Sequence, residues 1–187
     1  MDKDFAAPID AVIENEKTSK KAIRNRVETI KLIKKHGGLY GRVLDIGEHN
    51  LFTDVLQGYF EKATIENTWG DLDMGLNCLF PIYNYVHYNN VIEHQFNPLR
   101  TLLDIKEVLS LSGTLILGTP IKPSWITSAK CHFHEMDEYR FKKLIARAGF
   151  EIFDEVHFWH DISLNGIRGI LGSFYTKQAV YLLKHKI

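Results

Sequence analysis

Cysteine is scarce: Cys78 and Cys131 are the only two. A disulfide framework is not expected, and a reducing, cytoplasmic setting is. No apolar run approaches the ~20 residues of a membrane-spanning helix. The first seventeen residues mix acids with apolar side chains and lack the apolar stretch of a secretory signal. Neither sign of charge is in excess, with 23 Lys+Arg against 23 Asp+Glu and a formal net charge of zero. A general nucleic-acid binder needs surplus cations to meet phosphate, so no nucleic-acid partner and no membrane partner are expected. Repeats, low-complexity tracts and Gly/Ser linkers are also missing, and the five prolines act as local punctuation. The 187 residues are expected to form a single domain, with an N-terminal helical segment over 1–37 and an α/β core over 38–187. That length buries a core without metal or disulfide staples.

The pattern that is present alternates between two periods. Ile23, Val27, Ile30 and Ile33 recur at spacings of four and three and predict a helix over residues 18–35. Its lysines and arginines form a solvated face, and Gly37-Gly38 stops it. A shorter helix is expected around Pro8–Glu16. Residues 41–46 read as a buried strand, followed by a helix with Asn50 as its cap and Phe52, Val55, Leu56 and Tyr59 at helical spacing. Ala63–Thr68 predicts a second strand, Gly70–Asp73 a turn, and the aromatic-rich Tyr83–Tyr88 a third strand. Asn97-Pro98 opens a helix with Leu102, Ile105 and Leu109 on one side, expected to end at Ser112-Gly113. Thr114–Thr119 follows as a strand closed by Pro120. Asp137 caps a helix over 137–148 that buries Phe141, Leu144, Ile145 and Ala148, and Gly149 ends it. Phe150–Phe158 and Gln178–Lys184 complete the strands, while 159–177 shows no period. Alternating strands and helices imply an α/β sandwich with a mostly parallel sheet. Ligands of such sheets sit at the carboxyl ends of the strands, which singles out Asp45–Leu51, Glu66–Asp73, Tyr88–His94 and Gly118–Pro120.

Three stretches at these ends carry more than a fold pattern. The first is Val43-Leu44-Asp45-Ile46-Gly47, continued by Glu48-His49-Asn50-Leu51. The second runs YNYVHYNNVIEH from Tyr83 to His94, then Asn97-Pro98-Leu99, Ile105–Leu109, Ser112–Leu117 and Thr119-Pro120. The third is His132-Phe133-His134-Glu135-Met136-Asp137 with Ala148-Gly149-Phe150. Together, over about residues 38–160, they resemble the class I S-adenosylmethionine-dependent methyltransferases, nearest the type 11 branch with small-molecule substrates. His49 and Leu51 stand where that family has its second and third glycines, Asn84 where Asp is usual, and Asn90 where Glu is frequent. The core is also shortened, because only a few residues separate Glu66 from Asp71.

The resemblance implies a Rossmann-like methyltransferase sandwich, with one antiparallel C-terminal strand and helices on both faces. It implies S-adenosylmethionine as cofactor and a small-molecule acceptor. The implied cofactor-binding residues are Asp45, Gly47, His49, Glu66, Asp71, Leu72, Tyr88 and Asn89. Glu66, Asp71 or Asp73 would hold ribose or adenine, and Tyr88 and Asn89 would lie beside the methionine part. For a hydroxyl acceptor, Glu93, His94, His132 and His134 are candidate bases. His132-x-His134 with His94 or Glu93 also offers three metal ligands. No CxxC or HExxH accompanies them, and no metal is expected. Residues 121–135 and 159–177 are expected to shape the acceptor region, with Trp125, Phe158 and Trp159 either lining it or packing in the core. The altered glycine turn leaves a second reading, a methyltransferase-like binding or assembly module without catalysis. A nicotinamide enzyme is disfavoured because no G-x-G-x-x-G follows Asp45.

Overall fold

The computed structural model describes residues 20–122, 132–134, 136–159 and 177–186, and for 20–23 the backbone alone. The expected helix at Pro8–Glu16, Trp125, Cys131, Glu135 and most of 159–177 lie outside these residues. The described elements are α1 (Lys20–Lys35), β1 (Gly41–Asp45), α2 (Leu51–Tyr59), β2 (Ala63–Asn67), β3 (Tyr83–Asn89), a 3-10 turn (Ile92–His94), α3 (Pro98–Val108), β4 (Leu109–Ile121), α4 (Glu138–Arg147), β5 (Phe150–Trp159) and β6 (Lys177–His185). One six-stranded sheet has the order β2-β1-β3-β4-β6-β5. β1 pairs in parallel with β2 and β3, and β3 with β4, whereas β6 runs antiparallel to both β4 and β5. This is the expected mostly parallel sheet, with a single reversed strand near its C-terminal edge.

Strand alternation gives the sheet two apolar faces. Val43, Ile116, Val180 and Leu182 pack with Ile30 and Ile33 of α1 and Phe52, Val55 and Leu56 of α2. On the other face Leu44, Val86, Tyr88, Leu115, Leu117 and Tyr181 pack with Leu102 and Ile105 of α3 and Phe141 and Ile145 of α4. Each such side chain contributes about 1.5–3 kcal/mol when fully removed from water, so the two layers carry the fold. Caps fall where the sequence puts them: Asn50, Asn97 and Asp137 accept from Phe52 N, Arg100 N and Arg140 N. Pro98 occupies the first turn of α3, where it removes no helical bond.

The end of α3 differs from expectation. The helix stops at Val108, and Leu109 is already extended and opposite Tyr83 of β3, so Ser112-Gly113 lies inside β4. Leu109 is buried in the α3–α4 layer, which draws the chain into the sheet early. Gly113 is needed for close approach instead: a Cβ there would sit 2.7 Å from the Leu109 side chain and 2.9 Å from the Asn84 carbonyl. Nor does Pro120 close the strand. β4 continues to Ile121 along β6, and Pro120 lies beyond Gly118, the last partner of β3. Among the described residues no helix is long and apolar enough to cross a membrane.

The C-terminal end of α1 is tied to the far edge of the sheet. Lys35 Nζ and His36 Nε2 donate to Asp154 Oδ2 of β5 at 2.7 and 2.6 Å. His36 first, and then Lys35, hold the Asp154 carboxyl down to a pKa of about 2. Its contribution to stability is therefore present above the ordinary carboxylate value of ~3.9 and lost as pH falls through the folded value. Asp154→Asn is expected to lower the melting temperature at neutral pH. Its deficit against wild type should shrink as pH falls across that window, as read by thermal unfolding at stepped pH. A deficit constant with pH would refute the linkage.

Candidate functional site

Parallel pairing of β1 with β3 sets Asp45 directly opposite His87. Both side chains lie on the α1–α2 face, and both are almost wholly buried, at 5% and 3% exposure. His87 Nδ1 donates to Asp45 Oδ1 at 2.7 Å. The Thr53 hydroxyl, from the first turn of α2, donates to Asp45 Oδ2 at 2.6 Å. Asn67, the last residue of β2, donates its amide to the Asp45 carbonyl at 3.3 Å and to Oδ2 at 3.4 Å. A carboxylate taken out of water persists when its oxygens are met by donors, and here three elements supply them.

The chain then turns at Gly47, which adopts φ +117°, a region that L side chains rarely enter. Thr68 accepts the Gly47 N–H at 2.9 Å, and Asn67 donates to the Gly47 carbonyl at 3.2 Å. Above the turn lies an open crevice of about 310 Å³. Small-molecule sites commonly start at about 300 Å³. Its walls include Asp45, Gly47, Glu48, His87 and Asn89 from the strand ends and Asn25 and Arg26 from α1. Asn25 Nδ2 donates to Asn89 Oδ1 at 3.2 Å, which pins α1 to the tip of β3. The Asn89 side chain fits only because Gly118 opposite it has no Cβ. Within the crevice wall, the Phe52 ring stands edge-on to His87 at 5.3 Å, and the Arg26 guanidinium lies over Phe52 at 5.5 Å. His87 Nε2 is buried and has no hydrogen-bond partner.

His49, whose ring replaces a glycine of the resembled motif, does not fill this space. It is 64% exposed and pairs with Asp54 of α2 at 3.0 Å. Of the other expected cofactor residues, Asp45, Gly47 and Asn89 line the crevice, but Glu66 and Tyr88 do not. Alternation sends both to the opposite face. Glu66 Oε1 accepts from Leu79 N at 3.0 Å and from the Tyr83 hydroxyl. Tyr88 is fully buried in the α3–α4 layer, bonded to Gln95. Burial, and then the Glu93 charge, push its phenol well above the ordinary value. Asp71 accepts from Asp73 N at 2.9 Å, and the Asp73 carboxylate takes Phe96 N and Asn97 N at 3.0 Å each. Leu72 packs against the α3–α4 layer.

Just past the crevice wall at Val91, the structure brings three of the four candidate bases together. Donor atoms of Glu93, His94 and His132 lie within 4.8 Å of one another, a set that could take a metal ion. The His94 and His132 rings meet edge to face at 4.6 Å. The Glu93 carbonyl accepts from Phe133 N at 2.8 Å and His134 N at 3.1 Å, which fixes the second segment against the first. His134 is directed elsewhere, with Nε2 donating to the Phe96 carbonyl at 3.0 Å.

Sequence reasoning missed His87, Thr53, Asn67, Asn25 and Arg26. The available signal was a lone imidazole inside an aromatic strand, but its partner 42 positions earlier becomes visible only with the strand register. Asp45→Ala would leave His87, Thr53 and Asn67 without their buried acceptor. It is expected to destabilise the fold by about 3–5 kcal/mol in urea unfolding. A loss below about 1 kcal/mol, the scale of an exposed pair, would refute the role given to Asp45.

No protein-family model matches the chain, and no curated protein matches it by sequence. Solved structures do match in fold. The O-methyltransferase of a trans-AT polyketide synthase from Brevibacillus brevis, in complex with S-adenosyl-L-homocysteine, is 13% identical with a TM-score of 0.66, covering 97% of this chain and 79% of that one. A phosphoethanolamine N-methyltransferase of Haemonchus contortus, in complex with phosphomonomethylethanolamine and S-adenosylhomocysteine, is 9% identical with a TM-score of 0.63, over 86% of this chain and 53% of that one. The [4+2]-cyclase SpnF is 13% identical with a TM-score of 0.60, over 98% and 93%. Strand order, the one reversed strand and these likenesses agree: the chain has the Rossmann-like fold of class I S-adenosylmethionine-dependent methyltransferases.

Proposed function

We propose that this protein transfers a methyl group from S-adenosylmethionine to a small-molecule acceptor, in the cytoplasm and without a nucleic-acid or membrane partner. The observation that carries the reading is the open crevice over the Gly47 turn, at the carboxyl ends of β1 and β3, kept clear because His49 turns outward to Asp54. Ligands of open α/β sheets bind at that position. The residues present fit the cofactor there. Gly47 brings backbone close, Asn89 and Asn25 put amide side chains on one wall, and Arg26 adds a cationic side chain to the lining.

The cofactor supplies a methyl group already activated on a sulfonium. The chain's part is to hold donor and acceptor in line and within reach, which is where most of the rate advantage of such transfers arises. Asp45 places its buried negative charge behind the crevice. Asn25 and Asn89 close one wall. For a hydroxyl acceptor, the clustered Glu93, His94 and His132 would be the candidate bases, since carboxylate and imidazole are the usual ones. The ribose role anticipated for Glu66 is assigned to no residue, because Glu66 is held by Leu79 and Tyr83. That engagement favours a second reading, a methyltransferase-fold binding module without catalysis.

Calorimetric titration of the full chain with S-adenosylhomocysteine tests the proposal. Saturable binding below about 1 mM is expected. Gly47→Val, which forces a β-branched residue to φ +117°, should weaken binding by about tenfold or more. His49→Gly should leave it within about threefold, because the ring lies outside the crevice. No binding at millimolar ligand would overturn the reading. Binding that appears only in His49→Gly would favour the module without catalysis.

A further inference from the structure

We propose that Glu93, His94 and His132 form a binding site for one divalent transition-metal ion of the Zn²⁺ type, beside the crevice and open to solvent on one side. Binding there does not depend on what the crevice holds, so the site stands or falls apart from the proposed function.

The sequence carries no contiguous metal motif because the ligands come from two segments that meet only in the fold. Glu93 and His94 belong to the 3-10 turn Ile92–His94 that follows β3, and His132 to the segment that leads to α4. Four contacts hold the segments against each other. The Glu93 carbonyl accepts from Phe133 N at 2.8 Å and from His134 N at 3.1 Å. His134 Nε2 donates to the Phe96 carbonyl at 3.0 Å, and the Phe96 and Phe133 rings pack at 4.2 Å. Ligand positions fixed before the ion arrives lower the cost of capturing it.

The donor set selects the ion. Donor atoms of the three residues lie within 4.8 Å of one another, and the two rings meet edge to face at 4.6 Å. Two imidazoles with one carboxylate suit Zn²⁺, which takes nitrogen and oxygen ligands at about 2.0–2.2 Å. Mg²⁺ and Ca²⁺ take oxygen ligands almost throughout and find too few here. Burial is graded across the set: Glu93 is 2% exposed, His132 is half-buried and His94 is exposed. The ion therefore enters from the His94 side and keeps a position there for water or another oxygen ligand. Three protein ligands and one open position is the arrangement of catalytic zinc, where a closed set of four is structural. An oxygen bound at the open position loses its proton to water more readily, so for a hydroxyl acceptor the three groups act through the ion; that use rests on the proposed function, and binding does not.

A second trio, Glu138, Glu155 and His157, comes as close together but differs in chemistry. Lys142 Nζ bonds Glu138 at 2.8 Å and Glu155 at 3.0 Å, so an ammonium already neutralises both carboxylates.

The test is calorimetric titration of the chelator-stripped full chain with Zn²⁺, and with Mg²⁺ for comparison. One equivalent of Zn²⁺ is expected to bind with Kd below about 10 μM, and Mg²⁺ not to bind at about 1 mM. His94→Ala and His132→Ala, which remove an exposed and a half-buried ring, should each weaken Zn²⁺ about tenfold or more. His157→Gln should leave it within about threefold. Co²⁺ in place of Zn²⁺ should give the visible bands of a low-coordinate site with nitrogen ligands, lost in His132→Ala. Zn²⁺ binding weaker than about 10 μM, or several equivalents that neither histidine variant reduces, would overturn the site. Loss of binding in His157→Gln would place the ion at the second trio and overturn it as well, and Mg²⁺ binding as tight as Zn²⁺ would reduce it to the Glu93 carboxylate. S-adenosylhomocysteine titrated into the same protein reports the crevice separately: its failure removes the proposed function and leaves the metal site, and failure of Zn²⁺ does the reverse.

Discussion

The buried Asp45–His87 pair is the constraint on which the ligand end of the molecule depends. Backbone ladders and side-chain alternation set the register of the three parallel strands. The pair adds a directional polar tie at their carboxyl ends, where apolar packing alone is not directional. Its 2.7 Å bond crosses from β1 to β3, Thr53 ties it to α2, and Asn67 ties it to β2. An ionised carboxylate in this layer tolerates no loss of donors, so every element that supplies one is held in register. The Gly47 turn leaves the sheet from this anchored point, and the crevice inherits its shape from it.

The connection between β2 and β3 is compatible with this arrangement because β2 stands at the edge of the sheet. Among the described residues β2 pairs only with β1, as the edge strand. The segment between β2 and β3 folds under the opposite face, with Leu72, Leu76, Cys78 and Phe80 against the α3–α4 layer. Glu66 and Asp73 fasten it. Glu66 takes Leu79 N and the Tyr83 hydroxyl, and Asp73 takes the backbone N–H groups that lead into α3. These two acids look like cofactor ligands in a linear reading, but the geometry makes them staples, since a short loop has many backbone donors and few partners of its own.

Periodicity and caps made most of the elements legible. Asn50, Asn97 and Asp137 announce helix starts through side-chain oxygens aimed at free N–H groups, a local effect that needs no tertiary context. The end of α3 was not legible, because Leu109 is pulled into β4 by burial against a layer assembled from distant residues. Alternation was the deciding factor at the site. Asp45 and Asn89 fall on the crevice face, while Glu66 and Tyr88 fall on the other, and a motif match without the strand register cannot separate them. His87 was invisible for the same reason: its chemistry is set by Asp45, and the two meet only when β1 and β3 pair.

The two imidazole groups at the end of β3 differ in burial, and the difference divides their chemistry. His87 is locked, with Nδ1 bonded to Asp45 at 2.7 Å and the Phe52 ring edge-on against it, and it is closed to solvent. His94 is exposed, and its partner His132 is half-buried, with Glu93 beneath them. Groups open to water exchange protons with it directly, whereas the His87 ring, closed in by Asp45 and Phe52, has no such route. On the proposed reading, proton transfer from a hydroxyl acceptor would therefore fall to the exposed pair and not to the buried ring, a division set by distance from solvent and not by residue identity.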